Sequence, residues 1–91
     1  QKDEAKAELM KSTRALETLR LETTKNEQMA EQAKEALRIL QDRYEEGLVS
    51  TTDLLRSQTQ LAQTELALAQ SVFKRNVTKA YIELLTETNR K

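Results

Sequence analysis

The chain has no cysteine, no histidine and no proline, and a single glycine in 91 residues. Without cysteine there is no disulfide and no thiol chemistry, and nothing marks a redox compartment. The missing histidine removes the commonest general base, and the two absences together remove the usual zinc ligands. One glycine cannot build a phosphate-cradling loop. Glu45 and Glu46 are adjacent, so on a helix they point about 100° apart and form no carboxylate pair. No catalytic residue, cofactor or metal site is expected of this chain, and it does not read as an enzyme.

Excess charge of either sign is also absent, with fifteen Lys and Arg against fifteen Asp and Glu. No net field draws the chain to nucleic acid or an anionic membrane. The pairs Lys74-Arg75 and Arg90-Lys91 are too few for a nucleic-acid footprint. No run approaches the roughly 20 apolar residues of a membrane helix, and no signal-peptide core is present. Beginning at Gln1 rather than Met, the chain reads as an excised fragment or a processed product, from which any targeting segment could have been lost. Aromatics are 3% of residues, hydrophobics 37% and charged residues 33%. That balance suits two long helices side by side better than a compact globule. An isolated hairpin of this kind is expected to be marginally stable, with apolar surface that needs neighbours.

What is present is organised around Arg43-Tyr44-Glu45-Glu46-Gly47-Leu48-Val49-Ser50-Thr51-Thr52-Asp53-Leu54-Leu55. Gly47 falls near the middle, with uninterrupted helical pattern on both sides. It can take the left-handed conformation that ends a helix. Ser50 can cap the free N–H groups of the next turn, and Asp53 sits where a capping-box acid sits, favoured by the helix dipole. A stop, a short turn and a start make a helical hairpin.

From about residue 2 to 46 the sequence is rich in Ala, Glu, Lys, Leu and Gln, all good helix formers. A strict three-four spacing picks out Leu9, Ser12, Leu16, Leu19, Thr23, Asn26, Ala30, Ala33, Leu37, Leu40 and Tyr44. This is a narrow coiled-coil seam, and at ~1.5 Å per residue the helix would be roughly 65 Å long. Glu22 to Gln28 contains no apolar residue. That belt reads as a solvated weak spot with a register-setting Asn26, or else as a surface facing a polar lumen or a crossing chain. The pairs Glu31/Lys34, Glu35/Arg38 and Arg38/Asp42 read as ordinary helix solvation, each contributing a few tenths of a kcal/mol at most.

From Thr51 to about Thr88 three rows recur every seven residues: Leu54, Leu61, Leu68; Leu55, Ala62, Ala69; and Leu66, Phe73, Ala80. At 100° per residue they cover roughly 160° of the helix. The narrow first seam could cover about half of that, so the remainder implies a second helical neighbour. Arg56, Gln60, Gln63, Gln70 and Lys74 make a polar face. Beyond Phe73 the apolar positions drift to Val77, Tyr81, Ile82, Leu84 and Leu85, and polar Thr86 to Lys91 is expected to fray. The fold class is therefore all-α: one long antiparallel hairpin over 1–91, with helices at about 2–46 and 51–88 joined by a turn at 47–50.

The tip pattern is Arg43-Tyr44-x-x-Gly47-Leu48-Val49-Ser50-x-x-Asp53-Leu54-Leu55, followed by Ser57-Gln58-x-x-Leu61-x-x-x-Glu65-Leu66-x-x-Ala69 and Ala80-Tyr81-x-x-Leu84-Leu85. It resembles the outer-membrane efflux protein family, the TolC-like channel-tunnels. The resemblance runs from about Ala30 to Thr88 and is most specific between Tyr44 and Gln58. Before Ala30 only a generic long helix matches. In that family each protomer carries two such hairpins joined to strands of an outer-membrane β-barrel. Three protomers build a twelve-helix tunnel across the periplasm, and the hairpin turns form its lower end.

The resemblance implies a fragment of the periplasmic α-barrel, without barrel strands and not itself spanning a membrane. Its place would be the periplasmic part of a bacterial outer-membrane protein. The implied function is a passive conduit for tripartite efflux or type I secretion. Its implied partners are a periplasmic adaptor (membrane fusion) protein and, indirectly, an inner-membrane pump, with a homotrimer in the full-length protein. Carried over by position, Gly47, Leu48, Val49 and Ser50 form the adaptor-docking tip. Tyr44 and Asp53 occupy places where some members hold a gate closed. Some members have arginine at the position of Val49, and this chain cannot make that ionic link. The turn could come from either repeat, and Gly-Leu-Val-Ser looks more like the tip of the first.

Each of these residues also has an ordinary structural reading. Gly47 terminates a helix, Leu48 packs back on the last turn, Tyr44 ends the seam, and Asp53 belongs to a cap. Two other functions fit a helical hairpin. One is the adaptor's own hairpin, whose tips resemble Arg-x-x-x-Leu-x-x-x-x-x-x-Ser. Counted back from Ser50, those places hold Arg43 and Ile39, and the pattern fails. The other is a generic coiled-coil oligomerisation segment with no transport role.

Overall fold

A computed structural model describes residues 2–90. Two helices, α1 (Lys2–Glu45) and α2 (Thr51–Arg90), run antiparallel against each other. No strand occurs among the described residues. The rod measures 67 × 15 × 14 Å, the length that the helical rise gives for one unbroken helix of this size. It exposes 7300 Å². A compact monomer of the same mass would expose about 5400 Å².

The seam of α1 is the one its spacing marks. Leu9, Leu19, Asn26, Ala33, Leu37 and Leu40 are half-buried, and Ser12, Leu16, Thr23 and Ala30 are buried. Tyr44 stands at the edge, 40% exposed. In the belt from Glu22 to Gln28 five residues are exposed, but at the seam Asn26 is half-buried and Thr23, 1% exposed, is the most buried side chain among the described residues. Its hydroxyl donates to the Leu19 carbonyl at 2.7 Å, so its polar atom is satisfied within its own helix while its methyl packs.

On α2 the seam is narrower and more polar than its apolar rows indicate. Leu54, Leu61 and Leu68 face α1, but their partners are Ser57, Thr64, Ser71 and Thr78, with Arg75, Ile82 and Leu85 completing the line. Small hydroxyl side chains let the two helices approach closely, and they return their hydrogens to helix carbonyls. Thr64 bonds Leu61 O at 2.8 Å, and Ser71 reaches Ala67 O and Leu68 O, both at 3.0 Å. No buried side-chain N or O among the described residues lacks a partner. Among the described residues only Leu16 and Ala30 are buried apolar residues, so the seam holds through many half-buried contacts.

Helix α2 runs past its expected end at Thr88. The helix continues to Arg90, with Thr86 and Thr88 donating to Ile82 O and Leu84 O, and no glycine or proline stops it. Lys91, the last residue of the expected frayed stretch, lies outside the described residues. Tyr81 donates to Glu8 across the helices at 3.3 Å. The Glu8 charge holds the Tyr81 hydroxyl above its ordinary pKa, with some desolvation and the hydrogen bond acting in the same direction.

All three expected ion pairs form on α1, at 4.0 Å (Lys34–Glu31), 2.6 Å (Arg38–Glu35) and 3.3 Å (Arg38–Asp42). The hydrogen bond from Arg38, then its charge, holds the Glu35 carboxyl below the usual range, and Arg38 is raised in turn. These side chains are wet, so they order the surface and add little stability.

Candidate docking tip and the free face of α2

The turn is pinned at both ends by backbone geometry. Gly47 has φ +77°, the left-handed value expected of a C′ glycine. Gly47 N–H donates to Tyr44 O at 3.0 Å and Leu48 N–H to Arg43 O at 2.9 Å. These two bonds make a Schellman motif, and Glu46 N–H still reaches Asp42 O at 3.3 Å. Helix α1 therefore ends at Glu45, with Glu46 as its half-in cap residue. On the other side Ser50 Oγ accepts from Asp53 N–H at 3.1 Å, and Ser50 O accepts from Leu54 N–H at 3.2 Å. Ser50 is the N-cap of α2. The reciprocal half of a capping box, from Ser50 N–H to the Asp53 carboxylate, is not among the hydrogen bonds formed. Asp53 contributes its charge in the first turn instead.

Leu48 does not pack back on α1. It is 69% exposed at the end of the rod, while Val49 next to it is half-buried. A Schellman C″ residue usually meets C3, but C3 here is Arg43, an exposed residue that offers Leu48 no apolar pocket. Tyr44 spans the tip, its hydroxyl 3.0 Å from Thr51 Oγ1. Of the two gate candidates, Tyr44 thus ties α1 to the start of α2, and Asp53 serves that start through its backbone and charge.

The second feature is the face of α2 turned away from α1. Leu55 is 56% exposed, Leu66 60% and Phe73 69%, with exposed Ala62, Ala69 and Ala80 between them. The three expected rows therefore divide: the Leu54 row packs on α1, and the other two remain open. Val77 and Leu84 are exposed as well. The polar residues Arg56, Gln60, Gln63, Gln70 and Lys74 are exposed, as their placement indicated.

The recurring Ser57, Thr64, Ser71 and Thr78 were missed by counting apolar residues alone. Their signal was available: hydroxyl residues every seven positions, each three after a member of the Leu54 row or its continuation. Among the described residues there is no cluster of three or more possible metal ligands, and no helix is long and apolar enough to cross a membrane. No family model, curated protein or solved structure matches the chain.

Proposed function

We propose that this chain is a periplasmic hairpin of an outer-membrane efflux channel of the TolC-like kind. It is non-catalytic, and its tip at residues 47–50 docks a periplasmic adaptor protein in a tripartite efflux or type I secretion system. The inner-membrane pump is reached through that adaptor. In the full-length bacterial outer-membrane protein, a homotrimer, α1 and α2 form part of the tunnel wall.

The observation that carries the reading is Leu48, held 69% exposed on a turn fixed by a Schellman motif and a serine cap. A rigid apolar knob at the end of a rod is suited to an end-on partner, because little conformational entropy is lost on docking. The open Leu55–Leu66–Phe73 face supports the same reading, since a wall helix needs a neighbour on each side.

Site-specific photo-crosslinking tests it. A crosslinking residue is placed at Leu48 or, as a control, at Leu21, which is equally exposed at 69% on the shaft. Adducts with an adaptor hairpin are expected from position 48 and not from 21. Adducts from both, or from neither, would remove the docking assignment.

A further inference from the structure

Helix α2 has two faces that could pack on α1, and it uses the more polar one. The seam in use alternates leucine with Ser57, Thr64 and Ser71, then passes through Arg75 and Thr78. The unused face carries Leu55, Leu66 and Phe73 with small alanines between them. Buried apolar area alone would favour turning α2 about its axis to bring Leu66 and Phe73 against α1. The fixed turn restrains α2 at its first residues, and along the shaft a contact between the helices is needed to oppose that rotation. The Schellman and cap bonds lie within the turn and its flanking helix ends, and the Tyr44–Thr51 and Tyr81–Glu8 contacts are exposed near the ends of the rod.

In the interior of the seam one side chain hydrogen-bonds across the helices. Asn26 Nδ2 donates to Ser71 Oγ at 3.0 Å and to Ala67 O at 3.3 Å. Ser71 donates onward to Ala67 O or Leu68 O. One turn away, Thr23 closes the site, 1% exposed. We infer that Asn26 selects which face of α2 packs on α1 and so keeps the Leu55–Leu66–Phe73 face free. If α2 presented its Leu55–Leu66–Phe73 face, Ser71 would turn away from Asn26, and Leu66, Ala69 and Phe73 at the centre of that face carry no side-chain acceptor to replace it. The half-buried amide would then lose its side-chain partner across the seam, and a polar group left without its partner costs more than the bond contributes when made. A single Asn in an apolar seam sets coiled-coil alignment in the same way. Face selection belongs to the hairpin alone, and its failure would leave the docking proposal standing.

The absence of cysteine makes disulfide trapping a clean test. Ala30→Cys with Thr64→Cys reports the face in use, since both sites are buried one turn nearer the tip than the Asn26–Ala67 contact. Ala30→Cys with Leu66→Cys reports the opposite face. With Asn26 present, the first pair should oxidise and the second should not. Asn26→Leu makes the seam more apolar, so helix content should be kept while the ratio of second-pair to first-pair crosslinking rises roughly tenfold or more. Ser71→Ala, which leaves Ala67 O as an acceptor, should give a smaller shift in the same direction. If Asn26→Leu stays helical and still crosslinks only through position 64, Asn26 does not select the face. Loss of helix in Asn26→Leu would also overturn the inference, because it would make the amide a source of stability rather than of choice.

Discussion

At the scale of single residues, Gly47 and Ser50 separate backbone conformation from packing. A Cβ built at Gly47 meets nothing within 4 Å, so any substitution there is opposed by φ +77° alone. Gly47→Ala is therefore expected to cost about 1–2 kcal/mol, and Gly47→Asn less, because Asn tolerates the left-handed region. Thermal melts followed by circular dichroism measure both. Ser50→Ala should cost about 1 kcal/mol through the lost cap on Asp53 N–H. The Arg38 contact gives a titration with a definite sign. Because Glu35 is lowered by Arg38, its contribution is present above the ordinary glutamate range and is lost as pH falls through the lowered value. Arg38→Gln should move the Glu35 titration back up in an NMR pH series, with little change in the melt since both groups are exposed. The turn was legible in the sequence because glycine and serine act there through known backbone geometry. Ser71 was not, because a hydroxyl bonded to its own helix can be buried while its sequence signature remains polar.

At the scale of elements, the two seams differ in how they were encoded. The α1 seam lay in a strict three-four spacing that included its polar members, and the structure follows it from Leu9 to Leu40. On α2 three apolar rows competed, and their hydrophobicity alone could not rank them. The packed seam was fixed by hydroxyl positions opposite Asn26, a pairing between residues 45 apart that no local pattern contains. A mutational contrast follows. Leu16→Ala removes a buried side chain, 9% exposed, and should destabilise the hairpin by about 2–3 kcal/mol. Phe73→Ser removes a larger one that is 69% exposed. In dilute solution it should change stability by no more than about 0.5 kcal/mol. Urea titrations of both variants decide the point, and a Phe73→Ser loss as large as that of Leu16→Ala would contradict the assignment of faces.

At the scale of the whole molecule, a 67 Å rod joins a rigid tip to a shaft with one satisfied and one open face. Its length and hairpin form were legible, because one glycine divides two uninterrupted helical patterns. The proposed partners follow from the resemblance carried mostly by the residues from Tyr44 to Gln58, and binding tests them. The open face gives the shaft a tendency to associate, while the docking proposal assigns recognition to the tip. These roles can be separated with Leu21, Leu48 and Phe73, all 69% exposed. The most direct measurement is the affinity of the chain for an adaptor hairpin, compared among wild type, Leu48→Asp, Leu21→Asp and Phe73→Asp. Docking through residues 47–50 requires Leu48→Asp to weaken binding at least tenfold while the two shaft variants bind as wild type does. Equal binding by all four, or a loss confined to Phe73→Asp, would contradict it.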